Sequence, residues 1–286
     1  MNLLLCVDNN YIEHAMDTIL SIFIHNNDEE INIYLMYDEL EEEKLNNFIH
    51  FVKMDLNCKL HLIKYNLNNI QLPIYIDYIT KITYFRLFFP LLIEEDIERI
   101  LYVDSDVICS ENIIDFYNMD FENNVLAGCE NMLMMDNIES NERFGLPQDN
   151  IYINAGVLLI NVKKYKDMVS YNSLIKFIND NYNKLVFQDQ DVINKYFYGK
   201  IKIVDTKYNY QINAVEYGME NYNSALIHYS ESYKPWDDKY VLVNKAKPYY
   251  DFLYKKGDIE TLERLIKNHI DNYRDFLLGL YCNWNM

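Results

Sequence analysis

Residues 99–110 read R-I-L-Y-V-D-S-D-V-I-C-S, and the fold turns on this stretch. Ile100 to Val103 is a short apolar run of β-branched and aromatic residues, the composition of a buried strand. It stops at Asp104-Ser105-Asp106, after which Val107 and Ile108 resume the apolar character. Two carboxylates beside a core need partners, because an unpaired buried charge is costly. At the carboxyl end of a strand in an α/β sheet they project instead into the crevice where ligands bind. Hard oxygens two residues apart suit Mg²⁺ or Mn²⁺, and a metal held there neutralises a diphosphate. Asp-Ser-Asp is also good turn chemistry, so a solvated strand-to-loop turn is the competing reading. The tripeptide alone leaves that choice to the flanking chain.

Upstream, Leu3 to Val7 reads as a buried first strand that ends at Asp8-Asn9-Asn10. Tyr11 to His25 has helical spacing, with Ile12, Ala15, Met16, Ile19, Leu20 and Phe23 on one side. Ile31 to Tyr37, Glu39 to Asp55 and Lys59 to Lys64 continue as strand, amphipathic helix and strand. Such alternation predicts a parallel sheet with right-handed crossovers, placing Asp8 on its ligand edge. The first loop lacks G-x-G-x-x-G and the chain has only 7 glycines, which argues against a dinucleotide-binding Rossmann domain. Ile79 to Leu92 reads as a helix with Arg86 as a lone cation in an apolar face, either a ligand contact or the partner of a structural carboxylate.

Downstream, Val125 to Cys129 is a further apolar run, while 131–150 shows no clean period and reads as a long loop of the lid or binding type. Ile151 to Val162 is a strand interrupted by Asn154-Ala155-Gly156, small residues that predict close approach by another backbone or by a ligand. Lys163 to Tyr182 is helical. Gln188-Asp189-Gln190-Asp191 then opens another helix; an N-cap from Gln and Asp is the bland reading and suits Asp189, but capping does not require Gln190 or the second acid. Ile201 to Val204 and Ala225 to Ile227 are late strands, and the second runs into His228, either a satisfied core residue or a metal ligand. From Lys245 the pattern is helical, with Asp258 to Leu280 resembling a docking tail.

The bulk numbers narrow the function class. At 286 residues, half of them hydrophobic, the chain buries a substantial core. A net charge of −18 argues against nucleic acid and against polybasic attachment to anionic lipid. Cys6, Cys58, Cys109, Cys129 and Cys282 are scattered, without C-x-x-C spacing, which suits a reducing cytoplasm and offers no zinc site. Met1 to Val7 is too short and uncharged for a signal peptide, and no window has the length of a membrane span.

In this setting the sequence resembles glycosyltransferase family 8, over about residues 2–240. Five motifs occur in the family's order: V-D-N-N-Y at 7–11, I-T-Y-F-R-L at 82–87, I-L-Y-V-D-S-D at 100–106, N-A-G-V-L-L-I-N at 154–161 with Q-D-Q-D at 188–191, and H-Y-S-E-S-Y-K-P-W at 228–236. The resemblance implies an α/β GT-A (Rossmann-like nucleotide-diphospho-sugar transferase) fold, a mainly parallel sheet flanked by helices with a helical tail. It implies a catalytic domain over 1–240, nucleotide-binding in its first half and acceptor-binding in its second, and a helical extension over 241–286. The implied activity is retaining transfer of glucose or galactose from a UDP-sugar to a saccharide or glycolipid, in cell-surface polysaccharide or lipopolysaccharide biosynthesis. The location would be cytoplasmic, at most peripheral at the inner membrane face, with no nucleic-acid partner.

The same resemblance assigns residues. Asp104, Asp106 and His228 would hold Mn²⁺, with Mg²⁺ as the alternative. Asp8 would accept from the uracil, Tyr11 would stack on it and Asn10 would lie beside the nucleoside. Arg86 and Lys234 would meet phosphate and sugar oxygens; Asn154, Asp189 and Gln190 would line the sugar, with Asp191 either joining them or supporting the helix start. These groups are expected around one crevice of a single sheet. Gln190 is a poor nucleophile, which favours front-face transfer over double displacement through Asp189 or Asp191. Two positions depart from the family pattern: Glu231 stands where Gly is usual, and Asn131 where an Asp often binds the donor sugar. The tail after Lys256 lacks the basic character of membrane-attached relatives. A non-catalytic nucleotide-sugar-binding protein would lose Asn154, Asp189 and Gln190. A D-x-D phosphatase wants Thr or Val where Ile108 stands, and a glycoside hydrolase needs a raised-pKa acid that the sequence does not nominate.

Overall fold

The computed structural model describes residues 1–68, 70–74, 80–216 and 218–284. The first half runs β1 (Asn2–Val7), α1 (Ile12–His25), β2 (Asn32–Tyr37), α2 (Glu42–His50) and β3 (Lys59–Lys64). Next come α3 (Phe85–Leu92), β4 (Arg99–Val103), β5 (Val107–Cys109), α4 (Ile114–Tyr117) and β6 (Leu126–Glu130). The second half holds α5 (Met134–Phe144), β7 (Ile153–Asn161), α6 (Val162–Met168), α7 (Tyr171–Asp180) and α8 (Gln188–Tyr196). It closes with β8 (Ile201–Val204), β9 (Tyr210–Gln211), β10 (Leu226–His228), α9 (Lys247–Lys256) and α10 (Ile259–Trp284).

Seven strands form the main sheet in the order β3-β2-β1-β4-β7-β6-β8. Strand order reverses between β1 and β4, which pair in parallel, and open α/β sheets bind ligands outside the carboxyl ends at such a switch point. Alternation along β1 feeds both faces. Leu3, Leu5 and Val7 join α1 and Phe48 of α2 on one side, while Leu4 joins Phe85, Phe88, Tyr165 and Leu174 on the other. A second sheet, β5-β10-β9, packs Ile108 and Ile227 against Tyr249, Phe252, Leu253 and Leu265 of the last two helices.

The sheet is mixed, not purely parallel. β7 is antiparallel to both β4 and β6. An apolar run buried on both faces reads the same whichever way it points. Residues 131–150 are not a structureless loop, because α5 occupies Met134–Phe144. That helix has no side-chain N-cap hydrogen bond and ends at Gly145 with φ 60°, the left-handed C-cap conformation. The helix expected over 79–92 is a 3₁₀ turn at Lys81–Tyr84 leading into α3, and Ile79 lies outside the described residues. The run 163–182 divides at Ser170, whose hydroxyl and that of Ser173 form a capping box for α7. No helix among the described residues is long and apolar enough to cross a membrane.

Candidate active site

A cavity of about 410 Å³ opens beside the carboxyl ends of β1 and β4. Asp8, Tyr11, Arg86, Asp104, Asp106, Asn131, Asn154, Asp189, Gln190, His228 and Lys234 line it, with Glu231. Asn10 and Asp191 do not line it. Because β7 runs antiparallel, its first residues lie at the end of β4, where the Asp104 N–H donates to Gly156 O at 2.8 Å. The start of α8 is tied to the same place: Asn194 bonds both N–H and C=O of Ile153, and Gln190 Oε1 accepts from Ala155 N at 3.0 Å. His228 does not come from the main sheet as expected. It arrives on β10, whose partner β5 continues directly from Asp104-Ser105-Asp106.

Asp104, Asp106 and His228 each offer one ligand atom, and the three lie within 4.8 Å of one another. His228 Nε2 is 3.2 Å from Asp106 Oδ1 and 3.9 Å from Asp104 Oδ2. The other side of each group is fixed by protein. Tyr102 OH and Arg86 Nη2 hold Asp104 Oδ1, the latter at 3.1 Å. Lys234 Nζ holds Asp106 Oδ2 at 2.6 Å, and Asn209 Oδ1 sits 2.8 Å from His228 Nδ1. With Nδ1 donating to Asn209, Nε2 is the lone-pair nitrogen, the tautomer a metal requires. Burial raises the Asp106 carboxyl, but Lys234 and His228 outweigh it and hold the group below the ordinary carboxylate range. Asp106 Oδ1, wholly buried, has no hydrogen-bond donor among the described residues. Two carboxylates and an imidazole with open, convergent atoms fit a divalent cation. Gly156 makes room for this arrangement: a Cβ there would lie 2.2 Å from His228 Cε1 and 2.9 Å from Asp104 Oδ2. The close approach expected at Asn154-Ala155-Gly156 is therefore that of a histidine ring.

Arg86 is buried, and its guanidinium is engaged by protein. It donates to Ala155 O and Thr83 O, pairs with Asp104, and brings Nε 3.1 Å from Asp189 Oδ2. It therefore bridges the carboxylates of Asp104 and Asp189. Burial, only partly offset by Arg86, pushes the Asp189 carboxyl up to about 6. Asp189 caps no helix; Asp191 accepts the Phe187 N–H instead, at 2.8 Å. Asp8 Oδ1 accepts from the N–H groups of Asn10 and Tyr11, leaving Oδ2 near Thr80 Oγ1 at 3.3 Å. Tyr11 stands edge-on to Trp236, which stacks on His14 with centroids 3.8 Å apart. Asn131 and Asn137 exchange hydrogen bonds, fixing Asn131 in the cavity wall. Sequence reasoning passed over Tyr102, whose hydroxyl is hidden in an apolar strand pattern. It also passed over Asn209, which carries no motif.

Doubly wound order, a switch-point cavity and an Asp-x-Asp pair facing a histidine define the GT-A class of nucleotide-diphospho-sugar transferases. The model for glycosyl transferase family 8 matches residues 2–240, and the chain belongs to that family. It is 30% identical over 212 residues to a putative glycosyltransferase of Haemophilus influenzae, covering 73% of this chain and 63% of that protein. It is 24% identical over 260 residues to lipopolysaccharide 1,2-glucosyltransferase of Escherichia coli K12, covering 87% and 76%. Galactosyltransferase LgtC, solved with donor and acceptor sugar analogs, superposes with a TM-score of 0.75 at 20% identity over 87% of this chain and 94% of that one. At that identity the likeness establishes the fold alone.

Proposed function

We propose that the chain transfers glucose or galactose from a UDP-sugar to a saccharide or glycolipid acceptor, with retention and with a divalent cation, Mn²⁺ first. The carrying observation is the trio Asp104, Asp106 and His228, whose free ligand atoms converge in one cavity while every rear contact is taken by protein. Charge supports the cation. Five lining carboxylates (Asp8, Asp104, Asp106, Asp189, Glu231) face two cations, Arg86 and Lys234, so a diphosphate would be repelled without added positive charge. When bound, the cation would supply Lewis-acid neutralisation of the diphosphate.

The remaining roles belong to side chains. Lys234 brings a fixed point charge to the diphosphate. Asp8 accepts from the base and Tyr11 packs on it, beside Asn10. Asn154, Asn131 and Asp189 hold sugar hydroxyls, and Arg86 keeps Asp189 and Asp104 in register. In front-face transfer the sugar C1–O bond to phosphate breaks as the acceptor oxygen bonds C1 on the same face, and the acceptor proton passes to the departing phosphate oxygen. The Gln190 amide oxygen stabilises the developing oxocarbenium ion. Asp191 lies outside the cavity with its carboxylate fully engaged, which counts against its acting as a nucleophile. The division into a catalytic unit over 1–240 and an extension over 241–286 belongs to this reading, supported by the extent of the family match. Free Cys6, Cys58, Cys109 and Cys129 suit a reducing cytoplasm, where precursors of cell-surface polysaccharide or lipopolysaccharide are built.

The test is UDP release from UDP-glucose, UDP-galactose and their N-acetyl forms, with Mn²⁺ and with excess EDTA. Metal-dependent release from a hexose donor is expected, and full release in EDTA would sink the metal assignment. Gln190→Ala should lower turnover roughly 10- to 1,000-fold with UDP affinity little changed. A glycosyl adduct trapped on Asp189 would replace front-face transfer by double displacement.

A further inference from the structure

The end of α5 and the start of α8 are joined by an ion pair outside the cavity. Arg143 Nη2 lies 3.0 Å from each Asp191 oxygen, and its Nε donates to Lys184 O at 2.7 Å. The Asp191 carboxylate has no exposure and also accepts from Tyr152 OH and Phe187 N, both at 2.8 Å. Burial raises the Asp191 carboxyl, and Arg143 opposes the rise. A buried carboxylate is sustained by such pairing, and removing one partner leaves a charge uncompensated.

What the pair secures is a turn that is costly on its own. Gln188 adopts φ 54°, a conformation a non-glycine residue rarely holds. Its amide is wholly buried, and among the described residues neither polar atom has a hydrogen-bond partner. Strain of this kind persists only where the surroundings over-determine it. The turn sends consecutive residues to different tasks: Asp189 to Arg86, Gln190 to the Ala155 N–H at the cavity wall, and Asp191 away from the cavity to Arg143.

We propose that Arg143 and Asp191 are positioning residues for glycosyl transfer, a strut from α5 that holds the strained turn so that Asp189 and Gln190 face the donor sugar. This rests on the cavity's role as the donor site. Neither residue touches substrate in this arrangement; both act through the turn. The strut also makes α5 part of the site's frame, since the cavity residue Asn131 is bonded to Asn137 of the same helix.

The test compares Arg143→Ala, Arg143→Lys and Asp191→Asn in the full chain. Arg143→Ala should lower kcat roughly 10- to 100-fold, the scale of a small misplacement of reacting groups, with donor KM and UDP affinity nearly unchanged. Arg143→Lys should recover part of the loss, because a point charge replaces the fork only partly. Hydrogen exchange at the backbone of 187–194 should accelerate in Arg143→Ala and Asp191→Asn, while β1 stays protected. Unchanged exchange at 187–194 overturns the strut whatever the activity. So does unchanged kcat, or a kcat loss matched by equal loss of UDP affinity. Accelerated exchange in a chain whose wild type releases no UDP from any donor would strike the transferase reading instead, and with it the strut's catalytic purpose.

Discussion

At the scale of single residues, the site is governed by close approach and by paired charge. Gly156→Ala would drive a methyl into the His228 ring and toward Asp104, so the imidazole must turn and its Nδ1 contact with Asn209 must break. Mn²⁺ affinity, read by calorimetry without donor, should fall roughly 10- to 100-fold, and Asn209→Ala should act in the same direction by freeing the tautomer. Asp189 gives a pH signature. Its carboxyl is raised from 3.8 to about 6 by burial, so the folded state takes up its proton more readily than the unfolded chain. The stabilising share is complete below 3.8 and is lost as pH rises through about 6. The unfolding free energy of the wild type relative to Asp189→Asn should therefore grow as pH is lowered across that window, measured by urea denaturation. A flat difference would show that Arg86 keeps Asp189 ionised throughout.

At the scale of elements, α5 shows both a legible signal and its limits. Gly145 closes it in the left-handed conformation, and among the described residues, its chain neighbours aside, nothing lies within 4 Å of where a methyl would stand. Gly145→Ala should thus cost about 1 kcal/mol through backbone strain alone, read as a lower urea midpoint. Gly145 with Pro147 two residues on fits a helix end, yet 131–150 reads as a loop in the sequence because its residues show no clean period. The helix is held by Asn131–Asn137 and Arg143–Asp191, contacts that no local pattern announces. By contrast β1, α1, β2, α2 and β3 were legible because short apolar strand runs alternate there with helices of clear amphipathic spacing. The direction of β7 was not, since pairing partners and not side-chain pattern set it. Asp104, Asp106 and His228 could be nominated from motif order. The groups behind them, Tyr102 and Asn209, could be found only once strands 4, 7 and 10 met.

At the scale of the whole molecule, one candidate metal ligand depends on the last helix. β10 carries His228 within a sheet of three short strands, too small to bury its own face. The helices α9 and α10 supply that cover: Leu265, without exposure, packs in one cluster with Ile227 and Tyr229, the neighbours of His228. Polar contacts fix the following loop as well. His269 is bonded by Tyr250 OH and lies 2.8 Å from Asp237 O, and Asn272 Nδ2 donates to Asp238 O at 2.7 Å. This loop follows β10 and carries Lys234, which donates to Asp106, so the C-terminal helix packs against the segments that bear both His228 and Lys234. Leu265→Ala should cost about 2–5 kcal/mol through the cavity it leaves. Because that cavity lies under β10, Mn²⁺ affinity of the still-folded variant should fall too. Phe48→Ala is the control, since Phe48 is as deeply buried but packs with α1 and β1 on the main sheet. It should cost about 3–5 kcal/mol and leave Mn²⁺ affinity unchanged below its unfolding temperature. Equal losses of metal affinity in the two variants would mean that the site follows overall stability, and that α10 has no particular hold on His228.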